Sequence, residues 1–179
     1  MRVRFILAAS LAFVLMACAP KHDWRVVFNQ EHGWQATFPA KPVQFSREVV
    51  LPGTSRSMQL TLSSAKVDEA MFAVGWVAKG DESTRKALES AMLANINADH
   101  TSIVRSTAAV SGLAATSVRA SGEMRIQAGH GFVPVYLIMR SLTVREPEPM
   151  VIEIIAVGPK ADLPLEIAEQ FVESLKLVR

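Results

Sequence analysis

Two apolar stretches, residues 132–144 and 150–157, flank the segment Arg145-Glu146-Pro147-Glu148-Pro149 and constrain the fold more than any other feature of the chain. Each is rich in Val, Ile and Leu. Runs of this kind bounded by prolines read as buried strands. The short, stiff connection predicts an antiparallel hairpin at the centre of a sheet. Glu153 interrupts the second stretch, and a carboxylate inside such a strand needs a partner. If the hairpin pairs around Pro147, Arg140 is the candidate.

The remaining pattern is mostly of period two. Trp24, Val26 and Phe28 alternate with more polar positions, residues 29–33 break the run, and Trp34, Ala36 and Phe38 alternate again, so two strands and a turn are expected. The two tryptophans fit either a core or an interfacial anchor. Pro39 and Pro42 end the second strand because neither has an N–H for a ladder. Residues 43–50 and 58–66 read as strands around Pro52-Gly53, and residues 71–78 as another. From Gly80 the period changes: Leu88, Ala91, Met92 and Ile96 recur at helical spacing, with Asp81 or Ser83 as N-cap and Glu82 placed against the helix dipole. Shorter strands are expected over residues 101–110, 114–120 and 124–127, separated by Ser111-Gly112 and Ser121-Gly122. Asp162-Leu163-Pro164 opens a closing helix with an apolar stripe of Leu163, Ile167, Phe171 and Leu175. Strands, one helix, more strands and a closing helix predict a single α+β domain over residues 24–179, an antiparallel β-sheet with helices packed against it.

The first 17 residues are of another kind. Arg2 and Arg4 precede an apolar run over residues 5–16, the form of an export signal, and the run ends at Cys18, the only cysteine of the chain. Leu15-Met16-Ala17-Cys18 resembles the lipobox of bacterial lipoproteins. That resemblance implies that residues 1–17 are removed and that Cys18 carries a diacylglycerol, anchoring the protein in the membrane with its domain facing the periplasm. Residues 18–23 are then a short lipidated tether. Ala19 stands where an aspartate would resemble an inner-membrane retention signal, which favours the outer membrane in a Gram-negative host. The alternative is ordinary secretion that leaves a free cysteine near the new terminus.

Loss of the signal also changes the charge. The whole chain has 19 basic and 17 acidic residues, and without Arg2 and Arg4 the two counts are equal at 17. The pI of about 8.9 is therefore largely the signal's, and nucleic acid is not an expected partner. With its cysteine lipidated the domain has no disulfide and must be stable through its core. Residues 101–145 carry arginines 105, 119, 125, 140 and 145 against Glu123, whereas residues 146–173 carry seven acids against Lys160. This segregation allows a basic face, built from Arg105, Arg119 and Arg125, for lipid phosphates, cell-wall carboxylates or an acidic protein. It equally allows the two segments to neutralise each other across adjacent strands and the closing helix.

No catalytic or metal motif stands out, and no cofactor is expected. His22, His32, His100 and His130 are scattered, with no HExxH, no G-x-S-x-G elbow and no Gly-rich phosphate loop. His130, between Gly129 and Gly131, reads either as a ligand-facing or as a solvated loop residue.

The segments Gly33-Trp34-Gln35-Ala36-Thr37-Phe38-Pro39, Ser111-Gly112-Leu113-Ala114 and Phe171-Val172-Glu173-Ser174-Leu175-Lys176-Leu177, in this order of elements, are similar to the PsbP-like group, which includes DcrB-like lipoproteins. The resemblance spans residues 24–178 and implies an antiparallel sheet between helices, used for binding or assembly rather than catalysis. Together these readings give the expectation of a membrane-anchored envelope lipoprotein acting as a non-enzymatic binding or assembly module, its partner an envelope protein or the cell wall. Two alternatives stay open: an envelope hydrolase or transferase with a site of non-adjacent residues, and a carrier of a small apolar ligand.

Overall fold

The computed structural model describes residues 22–50, 57–125, 131–145 and 148–178. The signal, Cys18, the Pro52-Gly53 turn and His130 lie outside them. Among the described residues no helix is long and apolar enough to cross a membrane.

Among the described residues ten strands and two α-helices follow in the order β1 (Arg25–Asn29), β2 (Trp34–Phe38), β3 (Val43–Val50), β4 (Ser57–Val67), β5 (Ala70–Ala78), α1 (Glu82–Asn95), β6 (Val104–Val110), β7 (Leu113–Met124), β8 (Val133–Val144), β9 (Met150–Pro159), α2 (Leu165–Glu173) and β10 (Lys176–Leu177). A 3-10 turn, His100–Ser102, precedes β6. Seven strands form one antiparallel sheet in the order β3-β4-β5-β9-β8-β7-β6, and β1-β2-β10 form a small second sheet. The expected α+β architecture with an antiparallel sheet is what the chain adopts. The two most apolar strands, β8 and β9, pair as Val144 with Met150 through Val135 with Pro159 and lie near the middle of the large sheet.

Strand alternation gives that sheet two faces. Ile152, Ile154 and Ala156 of β9 join Phe72, Val74 and Trp76 of β5 in a core with Trp34, Ala36 and Phe38 of the small sheet and Ala168, Phe171 and Val172 of α2. On the opposite face Ile155 and Val157 pack with Leu93 and Ile96, and Val151 and Val77 with Ala87 and Leu88, beneath α1. The molecule thus has three layers: α1, the large sheet, and a third made of α2 with the small sheet. Asp81 caps α1, its side chain accepting from the Thr84 N–H at 2.9 Å. Gly33 occupies the left-handed region at φ 60°, and a Cβ there would lie 2.8 Å from the Val178 carbonyl oxygen. Only glycine lets the C-terminal strand run so close.

Several local expectations are corrected. Ser121-Gly122 is no turn, because β7 runs unbroken from Leu113 to Met124. Gly122 is where the segment after α1 crosses the strand: Glu123 N–H donates to the Ile96 carbonyl at 2.7 Å, and Asp99 N–H to the Ser121 carbonyl at 2.9 Å. The glycine marks a close backbone approach inside a strand. Asp162 does not cap α2, which starts at Leu165 behind Pro164 with no side-chain cap. Proline disfavours helical backbone in the residue before it, so Leu163 enters the core as part of a turn whose N–H bonds to the Pro159 carbonyl. Beyond the closing helix, Lys176 and Leu177 form a strand that the periodicity did not predict, β10, and pair with Gln35 and Trp34. Finally, Glu153 lies opposite Ser141, while Arg140 lies opposite Ile154. A one-residue difference in register places two side chains on opposite faces, so Arg140 is not the partner of Glu153.

Candidate functional site

The face under α1 carries a polar row across otherwise apolar strands. Glu153 of β9 pairs with Ser141 of β8, Ser141 with Thr116 of β7, and Thr116 with Thr107 of β6. On the other side of Glu153 the register partner is Gly75, whose missing Cβ would stand 3.4 Å from the Glu153 Cγ and 3.0 Å from the Leu62 Cδ2. The two exceptions to the apolar pattern of β5 and β9 therefore explain each other. A glycine makes the room that a buried carboxyl occupies.

Above the row, α1 contributes Glu82, Arg85 and Glu89, whose i, i+3 and i+4 spacings bring them onto one helix face. Arg85 Nη2 and Nε donate to Glu82 at 2.7 and 2.9 Å. Arg85 Nη1 donates to Glu89 Oε2 and to Ser141 Oγ, both at 3.1 Å. From β6, Arg105 Nε donates to the other Glu89 oxygen at 2.7 Å. Arg85 and Glu89 are both buried, and Thr143 donates to Glu82 at 3.4 Å. Alternating charges thus run Glu82, Arg85, Glu89, Arg105 along the line where helix meets sheet. The Arg85 bonds hold the Glu82 carboxyl below its ordinary range and raise the guanidinium further.

Glu153 lies beneath this chain of charges. Its Oε2 is buried without a hydrogen-bond partner among the described residues. Burial, and then the charge of Glu89, push its carboxyl up to about 7. A carboxyl out of water and near a like charge keeps its proton.

Beside this network, between the first turn of α1 and the strands β6 to β8, is an open groove of about 950 Å³. Its floor includes Thr107, Ala114, Thr116, Ser141 and Thr143, with Glu82 and Arg85 on the helix side and Arg145 at the hairpin end. Small side chains on three neighbouring strands leave the hollow, and their hydroxyls supply both donors and acceptors. Ser141 is bonded to a guanidinium, which cannot take its proton, so this contact does not make a nucleophile of it.

The arginines singled out in the sequence are not gathered on one face. Arg105 faces α1 and pairs with Glu89. Arg119 faces the other way and pairs with Glu169 of α2 at 3.0 Å. Their registers, Arg105 opposite Val118 and Val104 opposite Arg119, put them on opposite sides of the sheet. Arg125, past the end of β7, has its guanidinium 5.2 Å from the centre of the Phe132 ring. The Arg119–Glu169 pair is of the neutralising kind, between a basic strand and the acidic closing helix. Of the histidines, His22 stacks on Trp24 and His32 lies 5.2 Å from Trp76, ring to ring. Among the described residues no three His, Cys, Asp or Glu side chains are grouped to hold a metal ion.

The sequence reading missed Arg85, Glu89 and the hydroxyl row. A signal existed in the Glu82, Arg85, Glu89 spacing, but the strand residues that complete the network lie far away in the chain. Against known proteins, neither a family model nor a curated sequence matches the chain. A solved structure, that of LpqN, described as involved in cell envelope biogenesis of Mycobacterium tuberculosis, is similar over 88% of this chain and 91% of its own, with a TM-score of 0.45 and 11% identity.

Proposed function

We propose that this chain is a bacterial envelope lipoprotein, anchored through Cys18, whose domain works as a non-enzymatic binding or assembly module with the groove beside α1 as its ligand surface. The observation that carries the reading is the groove itself: a hollow of about 950 Å³ on a rigid strand floor, lined by hydroxyls and bordered by a fixed guanidinium. Such a surface suits a polar, hydroxyl- or amide-bearing partner such as a cell-wall polymer or an extended peptide. The lipobox and the short tether support an envelope setting close to the membrane, and Ala19 favours the outer membrane of a Gram-negative host. The PsbP-like resemblance supports a role in binding or assembly.

The test is site-specific photocrosslinking in the native envelope. A photoreactive residue at Thr116, on the groove floor, is expected to give a discrete adduct that the same residue at Ser90, exposed on α1, does not. Equal adducts at both positions, or none at 116, would remove the groove from the proposal.

A further inference from the structure

The small sheet has an inner face that builds the core and an outer face that carries large apolar side chains into solvent. Trp34, Ala36 and Phe38 of β2 are buried inward, and Val27 packs on the same core. Between them in β1, Val26 is 64% exposed and Phe28 47%. Phe28 lies opposite Gln35, which lies opposite Lys176, and Val26 lies opposite Thr37. Cross-strand partners share a face. The outer face therefore presents two apolar side chains, an amide, a hydroxyl and one cation, and no carboxylate in these rows. At the start of the strand, Arg25 is ion-paired to Asp23 just before it.

What covers this face follows from where the chain comes from. Resting on the Cys18 tether reading, the lipid-bearing residue is eight positions from Val26, and extended backbone spans at most about 3.5 Å per residue, so Val26 lies within roughly 28 Å of the lipidated sulfur. No other strand of the domain follows the anchor so directly. We propose that the outer face of the small sheet rests on the phospholipid bilayer, with Val26 and Phe28 among the headgroups and Lys176 toward lipid phosphates. A contact too weak to recruit the free domain suffices here, because the tether makes it intramolecular and its effective concentration high. Aromatic and aliphatic side chains gain by leaving water at the interface, and a lysine near anionic headgroups adds attraction. In this pose α1 and its groove, on the far side of the large sheet, face away from the membrane and are open to a partner in the periplasm.

The experiment uses the full lipidated chain in vesicles of phosphatidylcholine and phosphatidylglycerol. A nitroxide is placed on Gln35→Cys, between Phe28 and Lys176, and separately on Ser90→Cys of α1. Vesicle flotation reads the tether, and collision with a water-soluble relaxation agent reads the face. The expected result is flotation of both proteins, a Gln35 label shielded from the agent by the vesicles, and an open Ser90 label. In the Val26→Ser/Phe28→Ser background the protein still floats and the shielding at 35 is lost. An open label at 35 on a floating protein overturns the bilayer contact and leaves the tether standing. Failure to float overturns both. Shielding at 35 that persists in detergent, with crosslinks between copies, overturns it in favour of a second copy on the β1 edge. If the double variant misfolds, the comparison of positions 35 and 90 still decides.

Discussion

Glu153 is the residue whose surroundings make the sharpest demand. In the unfolded chain its carboxyl ionises near the ordinary value of 4.5, whereas in the folded protein it holds its proton up to about 7. Between those values the folded state binds more protons, so stability falls as pH rises through the window, by on the order of 3 kcal/mol, and this group adds no further change above it. Asp81 acts in the opposite sense. Hydrogen bonds from Ser83 and Thr84 hold it at about 2, so its contribution is present above its unfolded value of 3.8 and is lost as pH falls toward 2. In Glu153→Gln, a neutral mimic of the protonated acid, the slope between about pH 5 and pH 7 should vanish from urea midpoints, and the variant should exceed the wild type near pH 7.5. Parallel slopes would show that Glu153 is ionised in the fold.

At the scale of elements, two joints hold the layers together. The first is the crossing of β7 by the segment that follows α1, where a Cβ on Gly122 would stand 2.1 Å from the Ile96 carbonyl oxygen. Gly122→Ala must push that backbone away and break the Glu123 bond to it, at a cost of about 3 kcal/mol. A denaturant-melt loss below about 1 kcal/mol would mean that the crossing yields freely. The second is α2, nine residues long and anchored by Phe171, whose ring lies 5.0 Å from Phe38 and 5.4 Å from Phe72. Since the side chain is fully buried, Phe171→Ala should cost about 3 to 5 kcal/mol, a large share of the roughly 5 to 15 that hold a domain. A small loss in the same melts would make α2 a loosely docked arm.

At the scale of the whole molecule, the proposed anchor at Cys18 is expected to be separable from the folding of the domain. Cys18→Ala should move the protein from the membrane pellet to the soluble fraction and abolish acyl labelling, with the melting temperature of the domain unchanged. A variant still labelled and still sedimenting with membranes would refute the lipobox reading. In the three-layer order the small sheet and the groove beside α1 lie on opposite sides of the large sheet.

The element types were legible because they are written in neighbouring residues. The period-two strands and the change of period at Gly80 are patterns within a dozen positions. The α1 cap on Asp81 and the β8-β9 hairpin around Pro147 were read from the same short range. What only the tertiary structure decided is which strands neighbour which, and on which face each side chain falls. Glu153 does not find the partner expected for it: it meets burial by keeping its proton, since Arg140 is one position from the required register and period-two alternation turns that single step into the other side of the sheet. The same parity separates Arg105 from Arg119 and brings Arg85, 56 residues from Ser141 in the chain, within hydrogen-bonding distance of it. Local periodicity sets what an element is, but its partners are chosen by burial across the whole chain.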